Sequence, residues 1–204
     1  MQGLNVFLLV GLIGLWGPLT CAGQSLDPEA QAGVVCWQES RKLRWTDFQA
    51  VREPTKKEIG PIHGPYLMAL TIANAIIYDG AWMGTVVTVQ FDKRKSWINK
   101  QYYYDRKATL IHEQLHFDAV ELTGRKIRQV LARCRDRGID HHTPAVKMEI
   151  ECLYEEEDDL QLLIDEETKE GNSPKAQAYW QVMIKRELAR LYTFRSTPQD
   201  CVFP

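Results

Sequence analysis

The sequence lacks several features that mark specialised classes of protein. It contains no internal repeat, no low-complexity tract and no basic run comparable to a nucleic-acid-binding surface. Its 204 residues carry a formal net charge of −2, with 45% hydrophobic and 25% charged residues. These proportions are typical of an ordinary globular protein, and the length is that of one domain. We therefore predict a single domain and expect no nucleic-acid partner.

An apolar segment near the N-terminus differs in character from the rest of the chain. Residues 6–19 read VFLLVGLIGLWGPL, which is too short to span a bilayer comfortably, and small residues follow it. We predict a signal peptide over 1–22, cleaved after Ala22, so that 23–204 form a secreted or periplasmic protein with no membrane contact. The first five residues contain no Lys or Arg, which is unusual for a signal peptide. The alternatives are a lipoprotein anchored at Cys21 and an uncleaved anchor.

Removal of the signal peptide leaves four cysteines, which are Cys36, Cys134, Cys152 and Cys201. An even number of cysteines in an exported protein favours two disulfides. Cys134 and Cys152 flank a turn between two helical segments, so we predict that they pair with each other. By exclusion, Cys36 then pairs with Cys201.

The distribution of apolar residues predicts strands first and helices afterwards. VVCW is a short strand, and YLMALTIANAIIYDG with MGTVVTVQF forms two strands around a turn at Asp79–Gly80. A helical pattern begins after Asp105 and runs to Gly138. A second helix starts near Thr143–Pro144 and runs to Gly171, and a third covers KAQAYWQVMIKRELARLY. This order predicts an α+β fold.

The stretch LIHEQLHFDAVEL, at residues 110–122, contains the spacing H-E-x-x-H. A helix advances about 100° per residue, so His112 and His116 lie about 40° apart and one turn along. Both imidazoles can bind one zinc ion, and Glu113 can reach a zinc-bound water as a general base. The alternative is a helix with two surface histidines and a solvated glutamate. The apolar neighbours of the motif favour burial, and buried histidines need partners.

A catalytic zinc ion usually has three protein ligands, so the motif requires one more. Glu121 lies about half a circle from His112 on the helix, and Asp118 lies about 240° round. Neither can join the histidines without a break in the helix. We therefore expect the third ligand on a later segment of the chain.

The sequence resembles bacterial secreted zinc-dependent protease-like proteins, whose hallmark is H-E-Q-x-H-F-D on a helix. The match is HEQLHFDAVEL, with weaker similarity in KLRWTDFQ, FDKRKSW and IDEETKEGNSPKAQAYWQVMIKREL, and it covers most of residues 33–195. In the last segment the family has Tyr-Asp-x-x-Thr-x-His-Gly. Here Asp165 and Thr168 match, whereas Ile164 replaces the tyrosine and Glu170 replaces the histidine before Gly171.

The third ligand is predicted to be Glu170, a carboxylate at the position of the family's histidine. A second helix packed antiparallel to the first returns past the two histidines. Counted from Gly138, however, Glu170 overshoots them by roughly 15 Å, which either a bend at Gly124 or a longer loop over 138–146 must absorb. Asp165 and Glu167 are the competing candidates.

The resemblance implies a zincin-like metallopeptidase domain over 23–204 that uses Zn²⁺ to cleave a peptide or protein substrate. The strand MGTVVTVQF is a candidate edge for pairing with an extended substrate. The alternatives are a non-catalytic exported binding protein on the same scaffold and a zinc hydrolase of a non-peptide amide or ester. The oligomeric state is left open.

Overall fold

A computed structural model describes residues 33–51, 67–68, 71–77, 85–98 and 106–197. Within these residues the chain has the predicted α+β organisation, with all strands before the long helices. The predicted signal peptide and Cys201 lie outside the described residues. The strands are β1 Val34–Cys36, β2 Leu67–Met68, β3 Thr71–Ile77, β4 Thr85–Asp92 and β5 Trp97–Ile98; the helices are α1 Arg106–Asp136, α2 Pro144–Thr168 and α3 Pro174–Arg190.

The described strands form an antiparallel three-stranded sheet in the order β1-β4-β3 and a separate β2–β5 pair. The predicted strand VVCW is confirmed as β1, and the two predicted hairpin strands are confirmed as β3 and β4. Ala73 of β3 is opposite Val89 of β4, and Val35 of β1 is opposite Phe91. The predicted turn at Asp79–Gly80 lies outside the described residues.

The suggestion that β4 offers a free edge to substrate is wrong, because β4 is the central strand. β3 pairs with it from Thr85 to Phe91, and β1 pairs with its other side from Gln90 to Asp92. Beyond the end of β1, the carbonyl oxygen of Val87 accepts a hydrogen bond from Arg128 at 2.6 Å. The backbone of β4 is thus engaged on both sides.

Helix α1 packs on the sheet and forms the centre of the hydrophobic core. Phe117 of α1 meets Phe91 of β4 edge-to-face at 6.1 Å between ring centroids, and Phe91 meets Phe48 at 5.1 Å. Ile164 of α2 and Ile184 of α3 are buried in the same cluster. The core therefore joins the sheet to all three helices and fixes their positions relative to the H-E-x-x-H motif.

The helix boundaries agree with the sequence signals. Gly138 has φ +64°, and the amide of Ile139 donates to the carbonyl of Cys134 at 2.8 Å, which closes the C-terminus of α1. Thr143 is the N-cap of α2, with Pro144 in its first turn. α2 ends at Thr168, three residues before the predicted stop at Gly171. No helix among the described residues is long and apolar enough to cross a membrane.

A buried ion network fixes the face of α1 opposite the histidines. The fully buried Glu121 carboxylate accepts from Arg125 Nε at 2.8 Å and from the Ser196 hydroxyl at 2.6 Å. Arg125 also donates to the carbonyl of Leu188 in α3, so the network joins α1 to α3 and to the segment after it. The Glu121 carboxylate is thus directed away from the motif, in agreement with its predicted exclusion from the ligand set.

The predicted disulfide between Cys134 and Cys152 is wrong, because both residues are free cysteines. Cys134 is buried with Val146, against which Ile150 also packs. Cys152 follows Ile150 by two residues, which rotates it about 200° round α2 and exposes it to solvent. Cys36 is disulfide-bonded to a partner outside the described residues, so the pairing of Cys36 with Cys201 stays a prediction.

Gly124 lies where α1 packs closely on the sheet. It does not bend the helix, since α1 runs through it without interruption. A Cβ atom at Gly124 would lie 2.6 Å from Val89 Cγ2. The Gly124→Ala substitution gains about 1 kcal/mol in helix propensity but overpacks this contact at a cost of about 1–3 kcal/mol. We expect net destabilisation, measured by urea denaturation.

The matched control is Gly124→Ala in a Val89→Ala background, where the clashing methyl groups are absent. There the alanine at position 124 should be neutral or stabilising relative to Val89→Ala alone. Equal effects of Gly124→Ala in both backgrounds would show that the contact with Val89 does not limit this position.

Candidate metal centre

The H-E-x-x-H motif lies in the first third of α1 and faces α2. His112 and Glu113 are buried, and His116 is largely buried. The two imidazole rings are perpendicular, with centroids 4.5 Å apart. The burial excludes the alternative of surface histidines beside a solvated glutamate.

Asp165 of α2 completes a compact group with the two histidines. Its Oδ1 atom lies 3.0 Å from His112 Nε2 and 2.9 Å from His116 Nε2, and the two Nε2 atoms are 3.0 Å apart. Among the described residues, this is the metal-ligand grouping that contains the motif. Two imidazole nitrogens and one carboxylate oxygen form one of the ligand sets found in catalytic zinc sites.

The spacing of these three atoms fits a tetrahedral zinc ion. Bonds of about 2.0–2.1 Å at tetrahedral angles place ligand atoms about 3.3 Å apart. The observed separations of 2.9–3.0 Å therefore require outward shifts of only a few tenths of an ångström. Three protein ligands leave a fourth position for water.

The grouping corrects the predicted ligand set, because it contains Asp165 in the place given to Glu170. His116 lies 20 residues before the last residue of α1, and Asp165 lies 21 residues after the first residue of α2. A straight antiparallel hairpin therefore places them at the same level. The loop of 137–143 accounts for the error, because counting from Gly138 treated it as helix. Measured from Pro144, Glu170 overshoots His116 by roughly 9 Å.

Glu170 follows the end of α2 and lies beside the group without joining it. Its backbone has φ +51°, and its amide donates to the carbonyl of Asp165 at 2.9 Å. Its side chain is exposed and lines an open cavity of about 760 Å³ with Asp165, Glu166 and others. Glu167, the other competitor, accepts a hydrogen bond from Trp180 Nε1 at 2.9 Å and is directed towards α3.

The Nδ1 atoms of both histidines have partners on α2. His112 Nδ1 lies 3.2 Å from the Thr168 hydroxyl oxygen, and His116 Nδ1 contacts the side-chain oxygen of Gln161. Neither partner was predicted from the sequence. The spacing of polar residues on α2 could have indicated both partners, because residues 161, 165 and 168 lie on one helical face at intervals of four and three.

The remaining polar residues of H-E-Q-x-H-F-D hold the helix in place. Gln114 accepts a hydrogen bond from the Leu43 amide at 2.8 Å, and Asp118 accepts one from Trp37 Nε1 at 2.7 Å. The Asp118 side chain therefore binds the segment that follows β1, which agrees with its predicted exclusion from the metal site. Asp140, His141 and His142 form a second, more exposed group at the α1–α2 turn, roughly 30 Å along α1 from His116.

Glu113 is buried without a hydrogen-bond partner among the described residues. Burial raises the pKa of its carboxyl from 4.5 to about 7; Asp165 adds to this rise, whereas His116 opposes it. Burial also acts to raise the pKa of Asp165, but its hydrogen bonds with the two histidines hold that pKa well below its usual range. The two carboxylates thus differ in protonation, as expected for a base and a ligand.

The histidines also have shifted pKa values. Burial lowers the pKa of His112, and the nearby His116 lowers it further against the effect of Asp165. Burial acts to lower the pKa of His116 too, but the hydrogen bond with Asp165 and the charge of Glu113 outweigh it and raise the pKa. The pKa values of the two histidines are therefore shifted in opposite directions, although both rings contact Asp165.

No family model matches the chain, and no curated protein or solved structure matches it significantly. The resemblance to zinc-dependent protease-like proteins stays a prediction.

The raised pKa of Glu113 makes the stability of the metal-free chain depend on pH. Folding favours the protonated carboxyl, so this stabilisation is present below about pH 4.5 and lost as the pH rises through about 7. Glu113→Gln should therefore be more stable than the parent by about 3 kcal/mol near pH 8 and by less than about 1 kcal/mol near pH 5. Urea denaturation in the presence of a chelator measures this difference.

The control is Glu151→Gln, which changes an exposed glutamate on α2 and should alter stability equally at both pH values. An effect of Glu113→Gln that is the same at both pH values would show that the Glu113 carboxyl is not destabilised by burial.

Proposed function

We propose that the chain is an exported zinc-dependent peptidase with a zincin-like fold, in which His112, His116 and Asp165 hold the ion. The observation that carries this proposal is the convergence of two Nε2 atoms and one carboxylate oxygen within 3.0 Å, next to a buried glutamate with no described hydrogen-bond partner. Imidazole nitrogens and carboxylate oxygens are the ligand atoms that catalytic zinc sites use.

The proposed role of Glu113 is general base and then proton donor. A bound zinc ion supplies a water of lowered pKa and polarises the substrate carbonyl. The Glu113 carboxylate, whose pKa burial raises in the metal-free chain, would accept a proton from that water and return it to the leaving amine. Glu113 lies next to His112 on α1, so its carboxylate borders the site without contributing to the ligand group.

The zincin-like fold is supported by analogy at the level of architecture. A long helix that carries H-E-x-x-H packs on an antiparallel sheet, and the third ligand comes from a later helix. A peptide substrate is proposed because H-E-x-x-H is the ligand and base pattern of metallopeptidases. Export is proposed from the apolar segment at 6–19, which lies outside the described residues.

The zinc assignment predicts that the chain binds one zinc ion and that Asp165→Ala weakens the affinity by more than about 100-fold, because a direct ligand is lost. His112→Ala should have a similar effect. The matched control is Glu170→Ala, which removes a carboxylate five residues away and should change affinity by less than about threefold. Elemental analysis and chelator competition measure the stoichiometry and the affinity. A larger loss in Glu170→Ala than in Asp165→Ala would restore Glu170 as the ligand.

The catalytic assignment predicts that Glu113→Gln keeps zinc and loses cleavage of a peptide library by about 100-fold or more, because an amide cannot accept the proton. Equal turnover by the variant and the parent would exclude Glu113 as the base. A zinc-loaded parent that cleaves neither peptides nor other amides and esters would favour a non-catalytic binding protein.

A further inference from the structure

The contacts at Thr168 determine which nitrogen of His112 carries a proton. The Thr168 hydroxyl lies 2.6 Å from the carbonyl oxygen of Ile164, which can only accept a hydrogen bond. The single hydroxyl hydrogen is therefore donated there, and the Thr168 oxygen can only accept from its other neighbours. His112 Nδ1, at 3.2 Å, must then be the donor. When the imidazole is neutral, this leaves His112 Nε2 without a hydrogen, so that its contact with the Asp165 carboxylate needs either a proton on the ring or a cation between the two atoms.

Gln161 imposes the same arrangement on His116. Its side-chain nitrogen donates to Glu157 at 2.7 Å and to the carbonyl oxygen of His116 at 3.3 Å. Both partners are acceptors, so the amide orientation is fixed and its oxygen faces His116 Nδ1. His116 Nδ1 is thus a donor as well, and in the neutral ring its Nε2 lone pair also faces Asp165.

Gly171 provides a further hydrogen bond to the Thr168 hydroxyl. Its amide donates to the Thr168 oxygen at 3.2 Å, and its carbonyl accepts from the side chain of Gln177. Gly171 has φ +83°, and a Cβ atom there would lie 3.0 Å from His112 Cβ. The loop after α2 therefore approaches His112 closely enough to support Thr168 only because residue 171 has no side chain.

From these contacts we propose that Thr168 and Gln161 are positioning residues that hold both histidines in the Nδ1–H tautomer, so that both Nε2 lone pairs are available to the metal. A neutral imidazole free in solution populates both tautomers, and the wrong one would direct an N–H group at the ion. This inference rests on the proposed zinc site. It adds the pattern Asp165-x-x-Thr168-x-x-Gly171 as a second element of that site, separate from H-E-x-x-H.

The test compares Thr168→Val, which has a similar shape but no hydroxyl, with Thr168→Ser, which keeps it. Chelator competition should show a loss of zinc affinity of about 10–100-fold for Thr168→Val and less than about threefold for Thr168→Ser. The matched control is Thr123→Val, a buried threonine elsewhere on α1, which should leave the affinity unchanged. Unchanged affinity in Thr168→Val would overturn the proposal.

A second readout reports the tautomer directly and needs neither zinc nor activity. Nitrogen-15 NMR of the zinc-free chain at alkaline pH, where the imidazoles are neutral, identifies the ring nitrogen that carries hydrogen. The parent and Thr168→Ser should show His112 with hydrogen on Nδ1, whereas Thr168→Val should show hydrogen on Nε2 in a substantial fraction of molecules. Hydrogen on Nε2 of His112 in the parent would refute the assignment.

Gln161→Met provides an independent variant at a half-buried position that tolerates change more readily than Thr168. It should shift the tautomer of His116 and leave that of His112 as in the parent. If the parent chain binds no zinc but both histidines carry hydrogen on Nδ1, the proposed zinc site is contradicted and the positioning role is not. Zinc binding with unaltered tautomers in both Thr168→Val and Gln161→Met would contradict the positioning role alone.

Discussion

The antiparallel pairing of α1 with α2 places Asp165 opposite His112 and His116, and the chemistry of the site depends on this alignment. The pairing is maintained by apolar contacts, both beside the site and near the turn between the two helices. Ile164, next to Asp165, is fully buried in the core with Phe117 of α1. Because Phe117 and Ile164 each directly adjoin a proposed ligand, the core packing and the ligand geometry are coupled. A shift of one helical turn between the helices, about 5.4 Å, would separate the carboxylate from both imidazoles.

The side chains of the segment H-E-Q-x-H-F-D lie on three surfaces of one helix. Each surface has a different neighbour, so the segment needs a different type of side chain on each. His112 and His116 face α2, and Phe117 enters the core below the sheet. Gln114 and Asp118 accept hydrogen bonds from the chain that follows β1. A substitution at Gln114 or Asp118 therefore acts on the site indirectly, through the orientation of α1.

Much of the fold and part of the site could be predicted from the sequence, because they depend on local patterns. The 3.6-residue period, the glycine at 138 and the proline at 144 are sufficient to identify the helices, and the i, i+4 spacing is sufficient to place both histidines together. The third ligand depends on the number of loop residues between two helices, which leaves no periodic signal. Similarly, the failed pairing of Cys134 with Cys152 depends on which face of α2 packs inward, and sequence separation alone does not report this.

The site concentrates groups that are unfavourable in a folded protein without a bound cation. Glu113 is buried with no described hydrogen-bond partner, and Asp165 forms its ion pairs with histidines alone among the described residues. When both rings are neutral and both Nδ1–H groups are directed at α2, the lone pairs of His112 and His116 oppose that carboxylate, and only a proton or a cation relieves the contact. Such an arrangement lowers the stability of the empty protein, and a cation that binds only the folded state restores it in proportion to the logarithm of its concentration over Kd. The same desolvation that destabilises the Glu113 carboxylate raises its pKa in the metal-free chain to about 7, which makes it a stronger proton acceptor. Stability and the proposed chemistry therefore place opposite demands on this residue. Among the described residues Glu113 has no hydrogen-bond partner, and its burial beside the three proposed ligand atoms agrees with the second demand.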